Sequence, residues 1–263
     1  VLTRGDVTKP LSPVLPGALP CIVGLDAQLA LADSGDEGER RAALARWITD
    51  PSNSLTWRSI VNRAWHYHFG RGLVDTPSDF GAMGSNPSHP ELLDWLAAWF
   101  REQGGSLKAL DRLLVTSSVY RQAVRVDARA SELDADNSLH WRRNRLRLDA
   151  ESIRDALLQL AGRLDPSMGG PSVKQFVESP GIHVTPKVDY ESFDIDSLES
   201  RRLSIYRFLF RTLPDPFMET MDCPDASQLA PKRESSVGAL QALALLNNPF
   251  IVRMSEHVAQ RVT

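Results

Sequence analysis

The sequence predicts a mainly α fold: an irregular multi-helix globular domain with long loops and at most a few short strands. Three observations carry that prediction. Apolar residues recur at i, i+3 and i+4 over several windows, the windows begin at Asn, Ser or Asp caps and end at glycine, and no run alternates long enough to build a large sheet. Residues 1–35 read as an extended Pro-rich arm, because Pro10, Pro13, Pro16 and Pro20 remove donors and restrict φ. Residues 36–263 read as one mainly helical domain, with a long irregular insertion around 165–200.

The helices are predicted in order. Asp36 and Glu39 have the spacing of a capping box, and Leu44, Ala45, Trp47 and Ile48 supply the face of a first helix that stops near Asp50-Pro51. A second runs from about Asn53 to Phe69, with Trp57, Val61, Ala64, Trp65 and His68 on one stripe and Gly70 as a left-handed stop. Residues 70–88 have turn chemistry, anchored by Leu73 and Val74. Ser88 is the expected cap of a third helix, with Pro90 in its first turn and Glu91 reaching back; Leu92, Trp95, Leu96, Trp99 and Phe100 form its stripe, ended by Gly104-Gly105.

A fourth helix spans about Ser106 to Thr116, and 122–138 read as surface connection. Trp141 to Leu148 alternates Arg143, Arg145 and Arg147 with Asn144, Leu146 and Leu148, the pattern of a short extended segment with one polar side. A fifth helix starts at Asp149, with Leu148 and Ile153 placed as a staple, and ends near Gly162. The run Leu203 to Phe210 fits a strand or a helical turn. Two final helices are expected, about Ser236 to Leu246 behind a Ser cap, and from Asn248-Pro249 to Val262. The expected core comprises Trp65, Leu92, Trp95, Leu96, Trp99, Leu110, Leu114, Leu157, Leu160 and Leu243.

Composition narrows the function classes. A formal net charge of -3 and a pI near 6.1 argue against a nucleic-acid partner, which selects a concentrated basic face. No stretch reaches the length of a membrane span, and the first residues are neither Met nor a basic, apolar leader. Cys21 and Cys223 are too far apart in sequence for a zinc knuckle and form no CxxCH haem site, so no metal or haem is expected to be held by this chain; a disulfide between them stays open. Of the 30 basic residues only Lys9, Lys108, Lys174, Lys187 and Lys232 are lysines, and arginine is the better bidentate partner for carboxylate, sulfate or phosphate. Codon bias in a GC-rich genome is the alternative explanation.

The string Asn62-Arg63, Trp65, Phe69 to Val74, Thr76-Pro77, Asp79-Phe80-Gly81, Gly84, Pro87 and His89 to Ala97 is long and distinctive. With Leu107 to Leu110, Tyr120-Arg121, Arg147-Leu148, Glu151, Arg154 to Ala156, Gly169 to Pro171, Arg201-Arg202, Tyr206, Gln241 to Leu243 and Leu245 to Asn247, it resembles a planctomycete-specific domain of unknown function. That domain lies near the C-terminus of large proteins that often carry a planctomycete-type cytochrome c domain. The resemblance implies a C-terminal piece of a longer, exported polypeptide, periplasmic or extracellular, with haem only in its upstream domains. Those upstream domains are the implied partners, with carbohydrate as a further one, and no catalytic residues are implied.

Asp79-Phe80-Gly81 matches a kinase magnesium motif, but no catalytic loop or glycine-rich phosphate loop accompanies it, and GxSxG, HExxH and P-loop motifs are absent. His66 and His68 lie about 200° apart on a helix, so one metal cannot take both. The strongest candidate site is instead the polar face of the second helix with its following loop: Asn62, Arg63 and His66, joined by Asp75, Asp79 and His89 if the loop folds back, as an acid/base or metal site, with a carbohydrate or polyanion as substrate. The same residues also fit a buried polar network in which Asn62, Arg63 and Asp79 pin the loop. Asp189, Asp194 and Asp196 are weaker candidates for calcium, because the glycine-centred spacing of a calcium loop is missing; pairing with Arg143, Arg145 and Arg147 is the alternative. An accessory module packing on upstream domains is therefore the leading functional expectation, and an enzyme domain the second.

Overall fold

Where an Asn, Ser or Asp precedes an apolar stripe, a helix forms, and Asn53, Ser106, Asp149 and Asn248 cap theirs. In the computed structural model, which describes residues 1–263 except 182–185, 227, 229, 231 and 234, the chain is mainly α, with nine α-helices and two short antiparallel hairpins among the described residues. The contacts cluster into two compact units, Val1–Leu146 and Arg147–Thr263.

In the first unit, β1 (Leu2–Thr3) and β2 (Asp6–Pro10) form a hairpin within the Pro-rich arm. Its two-residue turn is Arg4-Gly5, with φ of 51° and 79°, the left-handed pair that suits strand twist. Then follow α1 (Glu37–Ile48), α2 (Ser54–Phe69), α3 (Pro90–Glu102), α4 (Leu107–Thr116) and the short α5 (Ala128–Leu133). Asn53 and Ser106 cap α2 and α4 by accepting from Thr56 N and Ala109 N, as their side chains predict. Gly70 ends α2 at φ 82°.

Two capping expectations in this unit are corrected, and the surface connection holds a short helix. Glu39 does not close a capping box with Asp36; its carboxylate accepts from Ala32 N (2.6 Å) and Asp33 N (2.9 Å). Ser88 does not cap α3, because Leu73 O takes both its N–H (2.8 Å) and its hydroxyl (3.3 Å), and the cap position passes to His89, which makes no side-chain cap bond. Residues 122–138 contain α5, whose six residues are too few to show a helical period; Asp127 accepts from Ala130 N.

The first unit's core is Val61, Trp65, Phe69, Leu73 and Val74 against Leu93, Leu96, Phe100, Leu110 and Leu114. Helix α3 packs on both α2 and α4 and buries Leu93, Leu96, Ala97 and Phe100, a stripe rotated from the expected one. Trp95 is therefore exposed, stacked on Trp99 at 6.4 Å. Trp141–Leu146 forms no strand, and its polar and apolar sides are not separated as expected. Arg143 is partly buried, its guanidinium 4.0 Å from the Tyr120 ring centroid, while Leu146 is exposed.

In the second unit, α6 (Ala150–Leu160) is capped by Asp149, whose carboxylate accepts from Ser152 N (2.8 Å), and Gly162 follows at φ 69°. The stretch from 165 to 200 carries the hairpin β3 (Val177–Ser179) and β4 (Lys187–Asp189) and a 3-10 turn over Glu199–Arg201; residues 182–185 lie outside the described residues. The run left open between strand and helix is a 3-10 turn, Ser204–Tyr206, followed by extended chain. Val173 N donates to Tyr206 O (2.8 Å) and Phe208 N to Val173 O (2.9 Å).

Helix α7 (Pro216–Thr220) was not anticipated, although Asp215-Pro216 is a cap followed by a first-turn proline. Helices α8 (Ala239–Asn247) and α9 (Pro249–Val262) meet at Asn248, which accepts from Phe250 N. Ser236 does not cap α8; Asp222 binds its N–H (2.7 Å) and hydroxyl (2.9 Å) instead. The core is Ala150, Phe217, Met218, Met221 and Ile251, with a second cluster of Leu158, Ala161 and Met254. Leu160 and Leu243, expected inside, are exposed. No described helix is long and apolar enough to cross a membrane.

Candidate functional site

The buried member of the predicted site is Asn62. It lies in the middle of α2 with no exposure, which an amide tolerates only when every hydrogen-bonding group is used. Its Oδ1 accepts from Val74 N (2.8 Å) and its Nδ2 donates to Val74 O (2.9 Å), so the side chain imitates a strand partner for the returning loop. Gly72 makes this approach possible. A Cβ there would sit 2.4 Å from Val74 O and 2.9 Å from the Asn62 amide.

Four others of the predicted residues take separate partners. Arg63 Nη2 donates to Ser78 Oγ (3.0 Å). The Asp79 carboxylate accepts from Gly81 N (2.8 Å) in a local turn, while its backbone carbonyl accepts from Thr76 Oγ1 (2.7 Å). His66 has its ring beside Tyr67. His89 Nδ1 is 3.0 Å from Ser88 Oγ, and its ring is 5.6 Å from that of His140. The loop does fold back onto α2, held by the buried Asn62 amide at Val74 and by Arg63 at Ser78. His68, expected as a core histidine with a partner, is partly buried and bonded to Asp111 on α4 (3.0 Å).

Sequence reasoning missed His140. It sits at φ 54° between Trp65 and His89, and its imidazole is pushed below the usual histidine range, by burial first and then by His89 and Arg71. No local pattern could mark it, since its surroundings come from α2 and from the loop before α3.

The acidic residues of the second unit are also divided. Asp189 caps its own turn through Glu191 N, Ser192 N and Ser192 Oγ, and Asp194 accepts from Asp196 N. Asp196 is held by Arg253 Nε (2.7 Å), Arg163 Nη2 (3.1 Å) and His257 Nε2 (2.6 Å). Among the described residues no group of three or more His, Cys, Asp or Glu is arranged to hold a metal ion. The expected pairing with the arginine run is replaced for Arg147, which bonds Asp222 (3.1 Å).

The Arg253 hydrogen bond, followed by that of His257, lowers the Asp196 pKa from an ordinary 3.8 to about 2. A carboxyl depressed in the folded state stabilises the fold above its unfolded pKa and loses that contribution as pH falls through the folded value. Stability should therefore decline between about pH 4 and pH 2, and Asp196→Asn should flatten that part of the melting-temperature profile. An unchanged acid limb in the variant would refute the assignment.

The larger polar cluster of this unit surrounds two buried arginines. Arg154 Nη1 donates to Arg202 O (3.0 Å), Ser204 Oγ (3.2 Å) and Asp155 (3.2 Å), and its Nη2 to Gln175 Oε1 (3.2 Å) and Ser200 O. Burial, then neighbouring Arg207, lowers its pKa to about 10, which leaves it charged at neutral pH. Arg207 Nε shares Gln175 Oε1 (2.7 Å) and its Nη2 pairs with Asp215, whose other oxygen caps α7. Cavities of about 310 and 210 Å³ both border Tyr190, Arg207, Asp215 and Met218. Cys223 borders the larger; burial and then Glu151 push its thiol up to about 11, so it stays protonated and poorly nucleophilic at neutral pH. Both cysteines are free thiols.

Residues 40–263 match the model of a family described as PSD1, Protein of unknown function (DUF1553). The chain belongs to that family. The match spans most of both units of this DUF1553 chain and begins inside α1, leaving the hairpin of the arm outside it. No curated protein and no solved structure matches it.

Proposed function

We propose that this chain is an accessory module, without a reaction of its own, of a larger exported and haem-associated polypeptide, and that it packs on the upstream domains through α8. The observation that carries the reading is the inverted character of α8. Its one buried residue is the polar Gln241, while Leu240, Leu243 and Leu246 are 75%, 55% and 73% exposed.

Those leucines are spaced i, i+3 and i+6 and so share one face. Gln241 is inside because its amide is fully used: Oε1 accepts from Arg147 Nη1 (2.7 Å), and Nε2 donates to Asp222 (2.9 Å) and Ser236 Oγ (2.8 Å). That polar anchor turns the leucine face outward. Exposed apolar side chains gathered on one face are a feature of interaction surfaces. Export, haem association and the upstream partner rest on the sequence resemblance.

The test is titration calorimetry of this chain against the upstream part of the same polypeptide, with Leu240→Asp/Leu246→Asp as the variant. Each leucine buried at an interface contributes about 1.5 kcal/mol or more, so Kd should rise roughly hundred-fold. The variant's own melting temperature should barely move, since both side chains are exposed. Undiminished binding would remove α8 from the interface and with it this reading.

A further inference from the structure

The first unit contains a groove whose charge runs against the chain's net charge of -3. It has a volume of about 560 Å³ and is lined by Arg71, Arg142 and Arg145, with no carboxylate among its lining residues. We propose that this groove binds a dianionic tetrahedral oxyanion, a phosphate or sulfate, either free or as the head of a monoester.

Three features support the assignment. Arg142 is held in place before any ligand arrives: its Nη1 donates to Asn144 Oδ1 (3.0 Å), which also accepts from Asn137 Nδ2 (3.0 Å), and its guanidinium lies 5.0 Å from the Trp141 ring centroid. Its Nε is buried and has no partner among the described residues. Arg145 is exposed and forms no ion pair among the described residues, and Arg71 has a single, long ion pair, with Asp75 at 3.6 Å.

Guanidinium forks match the oxygen spacing of such anions and bind them bidentately. Three guanidinium groups, of which only Arg71 has a carboxylate partner, exceed what a single carboxylate would use, whereas a dianion with several oxygens can engage them all. Val124, Val126 and Leu146 add an apolar wall, which favours an ester carrying an organic body over the bare ion.

Gly70, at φ 82° where a side chain is strained, ends α2 at the groove and lies against the Leu146 side chain.

The experiment is titration of the chain at low ionic strength with inorganic phosphate, inorganic sulfate, phenyl phosphate and phenyl sulfate, followed by calorimetry and by amide chemical shifts. Saturable binding is expected for all four, with the phenyl esters tighter, and shifts confined to residues around 70–71, 124–126 and 142–146. Arg145→Gln should weaken binding at least about ten-fold with an unchanged melting temperature, and Arg142→Gln should weaken it by as much while also costing some stability through its bond to Asn144. Lys108→Gln removes the same charge from an exposed site on α4 and should leave affinity unchanged. Tighter binding of the bare ions than of the phenyl esters would assign the free ion as ligand, within the proposal. Absence of saturable binding, or equal weakening by Lys108→Gln and Arg145→Gln, would overturn it.

Discussion

Replacing Asn62 by Ala should destabilise the first unit by about 3 kcal/mol, more than any other change in the loop that follows α2. The amide is wholly buried and meets both the N–H and the C=O of Val74, itself 2% exposed. Truncation leaves that donor and that acceptor in a site water cannot fill without displacing side chains, and each unsatisfied buried group costs about 1 to 3 kcal/mol. Asp79→Ala is the informative contrast. Its carboxylate holds one local bond to Gly81 N on a half-exposed loop, so the loss should stay near 1 kcal/mol. Equilibrium denaturation of both variants checks the pair. A near-neutral Asn62→Ala would mean that the loop is held elsewhere, and an Asp79→Ala loss equal to that of Asn62→Ala would restore a charged network as the pin.

The second large effect is expected at Arg154. Replacement by Met keeps most of the volume but removes five hydrogen bonds, leaving Asp155 without its cation and the carbonyls of Ser200 and Arg202 without a donor. Breaking one side of a buried charge arrangement costs about 3 to 5 kcal/mol, against which the gain in apolar packing is small. Arg154→Lys should recover little, because an ammonium cannot present the planar fork that reaches Arg202 O, Ser200 O and Gln175 at once. Hydrogen exchange should show the loss in α6 and in the chain around Ser200 to Arg207, since those are the segments the guanidinium joins. Retained protection there in Arg154→Met would show that the cluster is dispensable to the fold.

Features decided within a few residues were legible in the sequence. Asn53, Ser106, Asp149 and Asn248 cap the helices they were expected to cap, and Gly70 and Gly162 terminate theirs, because a cap bond spans two or three residues and a left-handed stop is one residue's property. Expectations failed where a distant group competed for the same atom. Ser88 was drawn to Leu73 O, Ser236 to Asp222, and Glu39 to the backbone of Ala32 and Asp33. Of the candidate site, the return of the loop onto α2 could be foreseen from Asn62, Leu73 and Val74. That the Asn62 amide would grip the Val74 backbone while the Asp79 carboxylate turned to Gly81 N could not.

By itself, then, the sequence determined the helical class, most helix ends and the family, all of which depend on local pattern or on the order of local patterns. Only the tertiary structure decided which stripe of α3 faces inward, that Trp95 stays outside, and that α8 buries its glutamine and presents its leucines. It alone made Arg142 and Arg145 walls of one groove with Arg71, and gathered Ser200, Arg202 and Ser204 around an arginine some fifty positions earlier. The physical reason is the same in each case. Helical periodicity says that a face will be buried, but which face, and against which polar partners, depends on desolvation and hydrogen-bond satisfaction summed over segments far apart in the chain.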